Sequence, residues 1–166
     1  MKKDRKTSFY VMLILFALYA AALLYLTLLG RSANTGLSIT EHFGIRGNLV
    51  PLRTVTRQIK ALLAHKYSLS IFLINVLGNL AAFAPLALFL PYFFGKCRNF
   101  FVFFAVTSAV IISVEALQLI AKVGSFDVDD YILNIAGASL LFLILTPYRR
   151  KQKTDTVNAN EKSNTL

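Results

Sequence analysis

Four long apolar stretches restrict what this chain can fold into. They are Phe9–Gly30, Leu69–Pro91, Phe100–Ala121 and Val128–Pro147. A helix needs about 20 apolar residues to cross the roughly 30 Å hydrocarbon core of a bilayer, and each stretch meets that length. With 56% hydrophobic and only 16% charged residues, the chain has too little polar surface to wrap four buried helices in a soluble domain. The sequence therefore predicts an all-α polytopic membrane protein with four transmembrane helices.

Basic residues near the span ends indicate the orientation, because Lys and Arg flanking a span are retained on the cytoplasmic side. With both termini inside, the residues that face the cytoplasm are Lys2, Lys3, Arg5, Lys6, Lys96, Arg98, Arg149, Arg150, Lys151 and Lys153. The loop between spans one and two also carries basic residues, and this arrangement places them outside. We expect both termini to be cytoplasmic and the first span to be an uncleaved signal anchor.

The same pattern divides the chain into three segments. Residues 1–8 form a basic cytoplasmic N-terminus, and residues 9–147 form the membrane domain. Residues 148–166 are polar and lack hydrophobic periodicity, so we expect a disordered cytoplasmic tail.

The loop between spans one and two contains an amphipathic segment, Thr54–His65. Its apolar residues Val55, Ile59, Leu62 and Leu63 share one helical face, and its basic residues point elsewhere. This pattern predicts a helix lying in the membrane interface on the outer leaflet. Attraction to anionic lipid headgroups is the simplest role for its basic residues.

Glu115 is the one charged residue deep inside a predicted span, about seven residues from the outer end of span three, whereas Asp129 and Asp130 lie at the very start of span four. At 1.5 Å per residue this depth is about 10 Å. An ionisable group there costs roughly 2.5–3.5 kcal/mol on insertion scales and generally faces the bundle interior. Gln118 follows at i+3 and shares its face. Glu115 is therefore a candidate functional residue, with a purely structural buried pair as the alternative.

Span four carries a polar stripe, since Asp127, Asp130, Asn134 and Gly137 are spaced i, i+3, i+7 and i+10. Asn79 in span two, Glu115 and Asn134 lie at comparable depth. The spacing thus predicts a polar cavity open to the outer leaflet, with Arg53 of the loop as counter-ion. The predicted polar cluster is Arg53, Asn79, Glu115, Gln118, Asp127, Asp130 and Asn134.

Several of these residues also have a purely structural explanation. Asn79 and Gln118 are also typical of hydrogen-bonding side chains that only hold helices together, at about 0.6 kcal/mol each. Asp129 points off the stripe and is typical of a solvated N-cap residue, so it is left out of the predicted cluster. His42 and His65 lie in the loop and are expected to be exposed.

Other classes of function are disfavoured by composition and motifs. The net charge of +10 comes from short clusters between apolar runs, which does not suit a nucleic-acid-binding face. Cys97 is the single cysteine, so no multi-cysteine metal motif exists. No P-loop, nucleophile elbow or zinc motif occurs. We expect no nucleic-acid partner, no cofactor and no metal.

Four blocks of sequence together resemble the VanZ-like family. They are Asn48-Leu-Val-Pro-Leu-Arg53, Asn75-Val-Leu-Gly-Asn79 followed by Phe83-Ala-Pro85-Leu, Glu115-Ala-Leu-Gln118, and Phe126-Asp127-Val-Asp129-Asp130-Tyr-Ile-Leu-Asn134-Ile-Ala-Gly137. The resemblance covers Phe9 to Pro147. It implies a multi-pass protein of the bacterial cell membrane, mostly Gram-positive, in a family named for a member that lowers susceptibility to the glycopeptide teicoplanin. Family members often carry an arginine just ahead of the Ser-Phe-Asp block, where this chain has Gly124.

Three functions remain open at this point. The first is an envelope protein whose cavity binds a lipid-linked or amphiphilic molecule, such as a lipid-linked cell-wall precursor or a glycopeptide, and so alters antibiotic susceptibility. The second is a membrane enzyme, hydrolase-like, that uses carboxylates on a lipid headgroup. The third is a small carrier or flippase, which would need a homo-oligomer because four spans enclose little volume. Membrane lipids are expected partners in all three.

Overall fold

The computed structural model describes residues 2–29 and 36–164. Within these ranges the chain is helical, and an isolated β-bridge pairs Asn48 with Asp127. The helices are α1 (Lys2–Leu24, followed by the π-helical turn Tyr25–Leu29), α2 (Ile39–Arg46), α3 (Arg53–Leu63), α4 (Leu69–Ala82), α5 (Leu86–Phe93), a 3-10 turn (Gly95–Arg98), α6 (Phe100–Ala121) and α7 (Val128–Asn164).

Four segments are long and apolar enough to cross a membrane, as predicted. They are Lys6–Leu28, Leu69–Phe93, Phe100–Ala121 and Val128–Arg149. The all-α, four-span fold is therefore confirmed, while the predicted end of the first span, Gly30, lies outside the described residues. Residues 36–68 and 122–127 lie at one end of the bundle, which we call the loop end.

Span two is interrupted, and Pro85 explains where. The helix stops at Ala82 and restarts at Leu86, because proline has no N–H to donate and its ring displaces the preceding turn. The break frees the Ala82 carbonyl oxygen, which accepts a hydrogen bond of 2.8 Å from the Tyr19 hydroxyl of α1. Tyr19 thus satisfies a backbone group that lipid could not.

Aromatic stacking and one close backbone approach hold the bundle together. The buried rings of Phe103 on α6 and Phe142 on α7 stack with centroids 4.5 Å apart. Gly137 of α7 packs against the backbone of α4, where a Cβ atom added to it would overlap the Leu80 carbonyl oxygen. A side chain as small as alanine would therefore push α4 and α7 apart.

The last helix extends beyond the membrane span. The sequence predicts disorder from residue 148, whereas α7 continues to Asn164. Residues 148–164 contain neither Gly nor Pro, and span four supplies a helix that is already nucleated. Because extension costs far less than nucleation, the polar segment continues as helix where its composition alone suggested irregular chain.

The turn opposite the loop end buries Cys97, which is only 4% exposed. Burial raises the pKa of the Cys97 thiol, so less thiolate is present at neutral pH. We expect the native protein in detergent to react with a maleimide at least about tenfold more slowly than free cysteine at pH 7, and faster as the pH rises. Mass spectrometry of the labelled protein measures this rate. Equal rates for native and denatured protein would contradict the buried position.

Candidate functional site

The loop end is closed by a clamp between the chain around Asn48 and the start of α7. The backbone N–H of Asn48 donates to the backbone carbonyl oxygen of Phe126 at 2.8 Å. The backbone N–H of Val128 donates to the backbone carbonyl oxygen of Asn48 at 2.9 Å. The Asn48 side chain adds a bond from Nδ2 to Asp127 Oδ1 of 2.9 Å. Two residues 79 positions apart in sequence are thereby fixed side by side.

Asp127 is the centre of this clamp. Its Oδ1 atom also accepts the backbone N–H of Asp129 at 2.9 Å, which caps the start of α7. Its Oδ2 atom accepts the Thr54 hydroxyl at 2.7 Å. Asp127 is buried, and three donors therefore satisfy its charge without a cation.

Asp129 caps a helix that is distant in sequence. Its Oδ1 atom accepts the Leu52 N–H, and its Oδ2 atom accepts the Thr54 N–H at 2.7 Å and the Val55 N–H at 3.1 Å. These amides begin α3, where a carboxylate is favoured by the unpaired N–H groups and the helix dipole. Asp129 is 1% exposed, so the expectation of a solvated N-cap residue is wrong.

Asp130, the third aspartate, turns toward span two. The Nδ2 atom of Asn79 on α4 donates to Asp130 Oδ1 at 2.5 Å. The structure thus brings together two members of the predicted cluster. Asn134, one turn further along α7, is 3% exposed, and its Oδ1 atom has no hydrogen-bond partner among the described residues.

Glu115 lies beside a cavity of about 180 Å³ next to the clamp. The lining residues are Leu49, Ile112, Glu115, Phe126, Asp127, Val128 and Tyr131. Glu115 and Asp127 belong to the predicted cluster, but the five other residues are aliphatic or aromatic and Asn79 is not in the wall. The cavity is therefore more apolar than the sequence predicted, and the carboxylate oxygens of Glu115 and Asp127 contribute almost nothing to its exposed surface.

The remaining members of the predicted cluster lie apart from this cavity. Gln118 is buried and donates through Nε2 to the Thr27 carbonyl oxygen of the π-helical turn at 3.0 Å, so it joins α6 to α1. Arg53 begins α3 with an exposed side chain. The donors to Asp127 and Asp129 are backbone N–H groups and the side chains of Asn48 and Thr54.

The chain around α2 is tied to the loop between α6 and α7. His42 is 1% exposed, and its Nε2 atom lies 2.6 Å from the Gly124 carbonyl oxygen. A carbonyl only accepts, so Nε2 carries the proton. Lys122 donates through Nζ to the Leu37 carbonyl oxygen at 2.7 Å. The expected exposure of His42 is therefore wrong, and position 124 supports the loop through its backbone.

Two of the three aspartates at the start of α7 have hydrogen-bond donors on both side-chain oxygens. Asp127 and Asp129 hold their oxygens against fixed N–H and O–H donors, which makes them structural anchors. Within residues 2–29 and 36–164, no three His, Cys, Asp or Glu side chains are grouped closely enough to hold a metal ion.

These features define a class: a helical membrane protein in which an aspartate-rich start of the last span holds a structured loop over a small cavity. A family model described as VanZ/LLP1 matches residues 16–149, which include the clamp, the cavity and the last three spans. The chain therefore belongs to the VanZ/LLP1 family. No curated protein and no solved structure matches it.

Proposed function

We propose that this protein acts in the bacterial cell membrane, where it alters susceptibility to glycopeptide or lipopeptide antibiotics of the teicoplanin type. It does so by binding a lipid-linked or amphiphilic molecule at the loop end. The single observation that carries this proposal is the cavity beside Glu115 and Asp127. Membership of the VanZ/LLP1 family supports the envelope setting.

The size of the cavity decides what part of a ligand enters it. Apolar cavities of about 150 Å³ accept a molecule the size of benzene, whereas sites for whole drug-sized ligands span about 300–1,000 Å³. At about 180 Å³, this cavity takes a short stretch of alkyl chain or one ring. A glycopeptide antibiotic would enter only by a tail, and a lipid-linked cell-wall precursor fits in the same way.

Orientation completes the proposal. The clusters of Lys and Arg at the end of the bundle opposite the loops are retained in the cytoplasm, so the cavity opens at the outer leaflet and both termini lie inside. Cell-wall precursors and antibiotics meet at that face. The amphipathic α3 then lies in the outer interface, with exposed Ile59 and Leu63 available to lipid.

Changing Glu115 to Gln tests the function. The substitution keeps the shape of the side chain and removes the carboxyl group beside the cavity. We expect protection of cells to fall about tenfold, the change produced by losing about 1.4 kcal/mol of binding free energy. Asp130→Asn, which alters the contact with Asn79, is expected to act in the same direction.

The measurement is the minimal inhibitory concentration of teicoplanin in cells that produce equal amounts of each variant. Glu41→Gln is the matched control, because Glu41 is exposed and, among the described residues, its side chain bonds to Ser38 of its own helix cap. Full protection by Glu115→Gln at equal expression would contradict the proposed site.

A further inference from the structure

The exposed face of α3 carries a row of cations. Arg53, Arg57 and Lys60 are spaced i, i+4 and i+7, so they form one stripe along the helix. All three side chains are exposed, and the sequence of α3, Arg53–Leu63, contains no acidic residue. We call Arg53, Arg57 and Lys60 the basic stripe.

The apolar side of the same helix points the other way. Val55, Ile59 and Leu62 lie on the face opposite the basic stripe, and Val55 and Leu62 are half-buried. The stripe is therefore directed away from the packed side of the helix. Three cations held on one rigid helix that carries no acidic residue of its own form a surface for a multiply charged anion.

The clamp links the first turn of α3, which carries Arg53, to the wall of the cavity. Leu49 lines the cavity and precedes Arg53 by four residues. Asp129 holds the amides of Leu52 and Thr54 on either side of Arg53. Asp127 lines the cavity and accepts the Thr54 hydroxyl at 2.7 Å. The first cation of the stripe is thus adjacent in sequence to a residue that bonds to the cavity wall.

We propose that the ligand is an amphiphile with a phosphate-bearing headgroup, whose phosphate is bound by the basic stripe while the end of its hydrocarbon chain enters the cavity. This inference rests on the proposed function for the cavity and adds the headgroup chemistry. Guanidinium groups bind phosphate oxygens in pairs, and the aliphatic and aromatic walls of the cavity suit an alkyl or prenyl chain.

Two cations elsewhere at the loop end allow a strict control. Arg46 and Lys66 are exposed and lie outside the basic stripe. The double variants Arg57→Gln/Lys60→Gln and Arg46→Gln/Lys66→Gln remove the same charge from the same end of the molecule. Diffuse attraction to an anionic surface would respond equally to both, whereas a phosphate site responds only to the first.

The chain contains no tryptophan, so the fluorescence of one introduced Trp reports only on the surroundings of that position. The full-length Leu49→Trp protein in nanodiscs of phosphatidylcholine is titrated with phosphatidic acid brominated near the chain ends. Bromine quenches Trp fluorescence on close approach. The Ile120→Trp protein is the control reporter, because Ile120 is 61% exposed on α6 and does not line the cavity. We expect phosphatidic acid to quench the Leu49→Trp fluorescence more strongly than equally brominated phosphatidylcholine does. The two lipids should quench Ile120→Trp equally.

The expected result is saturable quenching at Leu49→Trp that weakens about tenfold in apparent affinity when Arg57→Gln/Lys60→Gln is added. The Arg46→Gln/Lys66→Gln background should change it far less. Equal weakening in the two backgrounds, or none in either, would overturn the proposal. Inorganic phosphate is added as a competitor, and full displacement of the lipid at matched concentration would show a free-phosphate site and overturn the part played by the chain.

This outcome is separable from that of the proposed function, since lipid binding is measured on purified protein without antibiotic. If the basic stripe fails this test while Glu115→Gln still lowers protection in cells, the headgroup assignment is wrong and the cavity keeps its role. If lipid binding succeeds but Glu115→Gln protects fully, the protein binds phosphate-bearing lipids and the link to susceptibility is wrong.

Discussion

Replacing Gly137 with alanine is expected to lower the free energy of unfolding by about 3 kcal/mol, the upper part of the range for overpacking a close-packed interior. The added Cβ atom would overlap the carbonyl oxygen of Leu80. That oxygen belongs to the backbone of α4, so no rotation of a side chain relieves the overlap. Separating α4 from α7 also lengthens the contact between Asn79 and Asp130.

Gly78→Ala is the matched control for this change. Gly78 lies inside α4 and is exposed, and a Cβ atom added there meets nothing within 4 Å. Alanine is favoured over glycine in a helix by about 1 kcal/mol, so this variant should be as stable as the parent or slightly more stable. The melting temperature is measured with a fluorogenic maleimide, which reacts with the buried thiol of Cys97 when heating unfolds the protein. An unchanged melting temperature for Gly137→Ala would contradict the close packing of α4 on α7.

Much of the fold could be predicted because membrane crossing is a local property of the sequence. Apolar length alone placed the second span at Leu69–Pro91, and the structure extends it by two residues to Phe93. Span two breaks beside Pro85, where the missing N–H interrupts the helix. The continuation of α7 to Asn164 was missed, since composition does not reveal that a helix is already nucleated upstream.

The site was predictable only where its contacts follow a helical repeat. Helical spacing placed Asp130 of α7 and Asn79 of α4 in the predicted cluster. In the structure the two side chains bond to each other. Asp129 was set aside because a helical wheel describes one helix alone. Its partners Leu52, Thr54 and Val55 lie 74 to 77 positions earlier, and no local pattern indicates that this loop returns to the start of α7.

His42 was misjudged for the same reason. Its partner, the Gly124 carbonyl oxygen, lies 82 positions away, and a backbone acceptor leaves no mark in sequence. The counter-ion role of Arg53 was predicted from charge alone. A cation near several carboxylates suggested a counter-ion, but N–H and O–H groups of the clamp already satisfy Asp127 and Asp129. Neutral donors on a rigid backbone fulfil that role without the entropy cost of ordering a long side chain.

Asp129→Asn is expected to destabilise the protein by about 3 kcal/mol or more, although it preserves the shape of the side chain. Both carboxylate oxygens accept, one from the Leu52 amide and the other from the Thr54 and Val55 amides. An asparagine keeps one of these oxygens and turns an NH₂ group toward the remaining donors. A buried donor left unsatisfied costs about 1–3 kcal/mol, and the loss of negative charge removes the favourable interaction with the α3 dipole.

The effect should be localised as well as large, because Asp129 is the link between α7 and the first turn of α3. Hydrogen exchange followed by mass spectrometry should show faster exchange of residues 52–55 in the variant, with α6 protected as before. Glu41→Gln again serves as the control, since the Glu41 carboxylate is exposed and bonds to Ser38 at the cap of α2. If exchange rises equally along all four spans, Asp129 stabilises the bundle as a whole and the clamp is not the unit that holds α3 in place. If exchange rises only at α3, loosening that helix should also weaken phosphatidic acid binding at Leu49→Trp, because the basic stripe would no longer be held beside the cavity.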